Sequence, residues 1–101
     1  KALHRLVDGV DYTVCEADTL SLYMRRVHAG RIRKKQFYFS QGPCGKLYPL
    51  TEAYISRIYN ESNPQFALAV KDRWKWYRYL NSYNRGKQTY RIIALYKKTI
   101  S

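Results

Sequence analysis

Acidic residues are scarce in this chain. Seven Asp and Glu stand against nineteen Lys and Arg, a formal charge of +12, and four of the seven (Asp8, Asp11, Glu16 and Asp18) lie in the first eighteen positions. A hard-cation site needs several carboxylates in one place. Those four have the placement of turn and helix-cap residues, so no metal or other cofactor is expected. Cysteine is sparse as well. Cys15 and Cys44 form no Cys-x-x-Cys pair and, with the widely separated His4 and His28, no zinc-binding spacing. Two cysteines support no disulfide scaffold. They are expected as free thiols in a reducing, cytoplasmic compartment. No apolar run approaches the ~20 residues of a membrane span, and the first residues lack the apolar core of a signal peptide. No membrane association is expected. A glycine-rich phosphate loop and a His-Glu-x-x-His pattern are also missing.

What remains is a chain of 101 residues, the length of a single small basic domain over 1–101. Its 46% hydrophobic content is enough to build a core rather than a disordered tail. The charge is uneven. Residues 21–50 carry seven bases and no acid, residues 51–72 are nearly neutral, and residues 73–101 carry eight bases and no acid. Such an excess favours a polyanionic partner. Eleven tyrosines accompany it, and a tyrosine ring can stack on a base as well as fill a core.

Local patterns predict an α+β fold, with three helices around a basic β-hairpin. Leu3, Leu6 and Val7 can line a short helix face, Asp8-Gly9 marks a turn, and Asp11–Cys15 has strand composition. Asp18 or Thr19 caps a helix over about 18–29, with Leu20, Tyr23, Met24 and Val27 as its stripe and Gly30 as its stop. Residues 36–50 then form the hairpin, turning at Gly42-Pro-Cys-Gly45 with Phe37 and Phe39 on one face. Thr51 caps a helix to about residue 60. Asn63-Pro64 starts another that runs to about residue 83. Residues 88–98 fit a strand or a helix, and their Ile, Tyr and Thr content tips toward strand.

The basic hairpin and the long helix supply the candidate sites. Arg25, Arg26, Arg31, Arg33, Lys34, Lys35 and Lys46 cluster on or beside the hairpin, as phosphate-gripping residues would. Lys71, Lys75 and Arg78 share one face of the predicted helix 64–83. Tyr38, Trp76, Tyr79 and Tyr83 are candidates for stacking or for an interface, and the Trp74/Trp76/Tyr79/Tyr83 sector for homodimerisation. The partner expected is nucleic acid, DNA before RNA. Two other classes stay open: an RNA-binding or metal-free ribonuclease toxin domain drawing on His4, His28, Tyr and Arg, and an adaptor or inhibitor using the aromatic helix. No spacing singles out a catalytic pair, so the balance lies against an enzyme.

The run Tyr23-Met-Arg-Arg-Val-His-Ala-Gly-Arg-Ile32, the hairpin after it, and Gly45-Lys-Leu-Tyr-Pro-Leu-Thr-Glu52 resemble the helix, wing and following helix of excisionase-type and MerR-type winged helix-turn-helix proteins. The resemblance covers residues 18–60. It implies a DNA-binding regulator of phage, plasmid or bacterial type, with a wing role for Arg33, Lys34, Lys35 and Lys46.

Overall fold

The computed structural model describes residues 3–76 and 80–100, without the side chain of Trp76. The fold is α+β and divides into two compact units, Lys1–Leu50 and Thr51–Ser101. Among the described residues, no helix is long and apolar enough to cross a membrane.

The first unit is a five-stranded antiparallel sheet in sequential order: β1 (Leu3–Val7), β2 (Val10–Glu16), β3 (Leu20–Ala29), β4 (Ile32–Gln41) and β5 (Tyr48–Pro49). The expected short helix near the N-terminus is therefore a strand. Val7 faces Val10 across an Asp8-Gly9 turn in which both residues have positive φ (51° and 79°). This is the primed turn geometry that the strand twist favours.

The larger correction concerns residues 18–29, which form no helix. Leu20–Ala29 is a ten-residue strand, paired residue for residue with Ile32–Gln41. Leu20, Leu22 and Met24 also recur with period two. That period wins because Phe39 and Phe37 stand opposite Leu22 and Met24 and share their face. Leu20, Leu22 and Phe39 are fully buried. Gly30 does not stop a helix but makes the turn of a two-residue hairpin, with φ of +63°. Asp18 and Thr19 likewise cap a turn: the Asp18 amide donates to Ser21 Oγ (2.9 Å), and Ser21 Oγ donates back to the Asp18 carbonyl (2.7 Å). A winged helix would need a helix here, so the sequence resemblance fails on this segment.

The second unit begins as expected. Thr51 Oγ1 accepts from the Tyr54 amide (3.1 Å) to cap α1 (Glu52–Tyr59), and Asn63 Oδ1 accepts from the Phe66 amide (3.1 Å) to cap α2 (Pro64–Asp72). α2 stops at Asp72, well short of residue 83. A 3-10 turn follows at Trp74–Trp76, and then a short hairpin of β6 (Tyr83–Asn84) and β7 (Thr89–Tyr90). Crowding of aromatic side chains disfavours regular α-helix at Trp74–Trp76. Residues 91–98, where strand was favoured, are helical: α3 spans Arg91–Ile100 and buries Ile92 and Ile93.

Tyr59, Phe66 and Tyr96 meet at ring-centroid distances of 5.1–5.5 Å and tie α1, α2 and α3 together. Burial, with Tyr96 adding to it, pushes the Tyr59 phenol well above its ordinary range. The folded chain thus keeps a proton that the unfolded chain releases. Stability is present below the unfolded pKa of ~10 and declines as pH rises past it.

Asn63 also donates from Nδ2 to Thr99 Oγ1 (2.9 Å), so one buried side chain starts α2 and holds α3. Asn63→Ala is expected to cost about 2 kcal/mol in urea unfolding, from a lost cap and a lost side-chain bond together.

Candidate nucleic-acid interface

The β3–β4 ladder is longer than the strands beside it. Pairing between β2 and β3 ends at Thr13 opposite Met24, and pairing between β4 and β5 ends at Tyr38 opposite Pro49. Beyond those points Arg25–Gln36 continues as a two-stranded ribbon, projecting roughly 15 Å at the rise of an extended chain. Its residues are exposed except for the half-buried Val27.

The register sorts the cations on this ribbon. Arg26 faces Lys35 and His28 faces Arg33 on one side, while Arg25 faces Gln36 and Val27 faces Lys34 on the other. Arg31 and Gly30 form the tip, followed by Ile32, which is 57% exposed. Six Lys and Arg and no acid occupy positions 25–36. None of the six makes an ion pair with another described residue. Side chains directly opposite sit with Cβ atoms about 5 Å apart, so Arg26 against Lys35 works against folding.

The base of the arm is held firmly. Tyr23, fully buried, shares a 2.7 Å hydrogen bond between its hydroxyl and Ser40 Oγ. Arg5 Nη1 donates to the same hydroxyl (3.0 Å), and its Nη2 donates to the Gly45 carbonyl (2.6 Å). Ser40 Oγ donates to the Gly42 carbonyl (2.6 Å). These bonds clamp the 42–45 turn onto the sheet. Where β2 parts from β3, a cleft of about 420 Å³ opens, lined by Asp11, Thr13, Arg25 and Arg26 among others. The Asp11 carboxylate lies 3.0 Å from His4 Nδ1.

The sequence candidates fall into three groups. Arg25, Arg26, Arg31, Arg33, Lys34 and Lys35 come together on the arm. Lys46 lies in the connector before β5, with its ammonium 5.5 Å from the Tyr48 ring centroid. The second face is not assembled as expected: Lys71 lies on α2, Lys75 lies on the 3-10 turn beyond its end, and Arg78 falls outside the described residues. The aromatic sector expected on the same helix also loses its continuous scaffold. Tyr83 is on β6, edge-on to Tyr90 at 5.2 Å, and Tyr79 is outside the described residues. Tyr38 is half-buried, packs edge-on against Tyr12 at 5.0 Å, and donates to Gln36 Oε1 (2.8 Å). Its ring is part of the packing on that face of the sheet. Cys15 and Cys44 are not joined in a disulfide.

Six of the cations expected on or beside the hairpin come together on one ribbon, but their arrangement differs from the expectation, because Arg25 and Arg26 were expected on a helix. Alternation of Leu20, Leu22 and Met24 was the available signal. Compared with known proteins, the chain matches no family model, no curated protein and no solved structure.

The like-charge pairing has a measurable consequence. Lys35→Glu is expected to stabilise the fold by up to about 1 kcal/mol at low salt, by relieving repulsion across from Arg26. Thermal unfolding at two ionic strengths would check this, and the gain should shrink as salt screens it.

Proposed function

We propose that this chain binds duplex DNA, with the β3–β4 arm lying along a groove and its cations gripping phosphates on either side. The supporting observation is an acid-free, two-stranded ribbon that extends past both neighbouring strands and sets cations opposite one another. The major groove of B-DNA, about 12 Å wide, admits a two-stranded ribbon, whereas the major groove of A-form RNA is too deep and narrow for side-chain reading. That difference favours DNA over RNA. So does the packing of Tyr38 against Tyr12, since single strands are read by exposed rings.

Arg25, Arg26, Arg33, Lys34 and Lys35 would hold backbone phosphate. Arg31 and Ile32 at the tip reach deepest, with Ile32 able to touch sugar carbons or a thymine methyl. Gln36, on the same face as Arg25, is the amide nearest the arm's base. The wing role suggested by the sequence resemblance is retained for Arg33, Lys34 and Lys35, without a recognition helix ahead of it. A small DNA-binding regulator remains the class that suits such an arm.

Binding by phosphate neutralisation predicts a steep dependence on salt. Lys34→Ala with Lys35→Ala should weaken binding to a duplex and reduce the slope of log K against log salt by about 2, at roughly 0.9 per lost contact. An unchanged slope would remove those lysines from the interface. Competition at two salt concentrations tests the choice of partner. Duplex DNA should displace a bound duplex better than single-stranded RNA does, and the reverse order would make this an RNA-binding domain. Failure to bind either at low salt would leave the protein-adaptor class.

A further inference from the structure

The second unit holds a cationic cluster that the arm does not use. Arg73 follows α2, Lys87 lies in the loop between β6 and β7, and Arg91 and Lys98 lie two turns apart on α3. The four border one recess of about 190 Å³. Leu80 and Leu95 supply apolar surface to the same recess. Among the described residues, no carboxylate lines it. Positions 73–101 contain no Asp or Glu, and Asp72, which directly precedes Arg73, is not among the residues that border the recess.

Two of the cations are oriented by neutral oxygens. Arg91 Nη1 donates to Ser82 Oγ (2.7 Å) and to the Tyr83 carbonyl (3.2 Å), and Arg73 Nη1 donates to the Ala69 carbonyl (3.2 Å). Such contacts fix the direction of a guanidinium. Lys87 is placed by its own backbone amide, which donates to Asn84 Oδ1 (3.2 Å) and so closes the hairpin loop. Helix, hairpin and turn thus converge their cations on one small space. Guanidinium groups match the geometry of a phosphate, and lysines add charge.

We propose that this recess binds a single phosphate group of a nucleic-acid backbone, with Arg73 and Arg91 as directed donors and Lys87 and Lys98 as its charged rim. Leu80 and Leu95 would face the adjoining sugar carbons. The proposal rests on the reading of the chain as a nucleic-acid-binding protein and adds a second contact to the arm.

Two measurements on the whole chain test it. In the first, Lys87→Gln with Lys98→Gln is compared with the unaltered protein for binding to a duplex across a salt series. A shallower slope, by about 1 for one lost phosphate contact, is expected. An unchanged slope in a variant with unaltered circular dichroism would overturn the proposal while leaving the arm in place. In the second, inorganic pyrophosphate is titrated and the arginine Nε–H signals are followed by NMR. Saturable shifts at Arg73 and Arg91, lost in the double variant, are expected. If they appear without a change in the DNA salt slope, the recess takes free phosphate only and the backbone assignment is wrong. If the unaltered chain binds no nucleic acid, the DNA reading fails and the backbone assignment fails with it. Pyrophosphate shifts in that case would locate a free-phosphate site, and their absence would show no anion site at all.

Discussion

The register between β3 and β4 is the constraint on which the first unit depends. Ten consecutive pairs join Leu20–Ala29 to Ile32–Gln41. A slip of one residue would turn Leu22 and Phe39 away from their shared face and bring the intervening polar residues into their place. The same register that buries apolar residues at the base sets Arg26 across from Lys35 at the tip. Core and charge are therefore two ends of one ladder. The favourable end must outweigh the repulsion at the other, and the fully buried Leu20, Leu22 and Phe39 are what does so.

The base of the arm is held by the Arg5–Tyr23–Ser40 hydrogen bonds, which join β1, β3, β4 and the 42–45 turn in one partly buried network. Arg5 adds a guanidinium 5.4 Å from the Tyr23 ring centroid. A Cβ at Gly45 would collide with the Gln41 carbonyl, so the turn can close this tightly only with glycine there. The second unit is organised by aromatic contact instead. Tyr59, Phe66 and Tyr96 hold three short helices, none of which would be stable alone at this length.

Where local chemistry decides structure, the sequence was readable. Thr51 and Asn63 are caps because a side-chain oxygen beside a helix start has little else to bond. Asp8-Gly9 is a turn because both positions tolerate positive φ. The errors came where two periods matched equally well. Leu20, Tyr23, Met24 and Val27 fit a helix stripe, while Leu20, Leu22 and Met24 fit a strand face, and Gly30 suits a helix stop and a hairpin turn alike. Only the partner strand separates the alternatives. At the other end of the chain, Ile92, Ile93 and Tyr96 carried the same ambiguity, and there packing of Tyr96 onto Tyr59 and Phe66 chose the helix.

By itself, the sequence determined the excess of basic over acidic residues, the caps at Thr51 and Asn63, and the turn at Asp8-Gly9. These depend on composition or on neighbours a few residues apart. Tertiary structure alone decided that Arg25 and Arg26 stand across a ribbon from Gln36 and Lys35. It alone gathered Arg73, Lys87, Arg91 and Lys98 around one recess. Pairing and convergence of residues distant in sequence depend on which apolar faces can be buried together. That is a property of the whole chain, and no short window of sequence contains it.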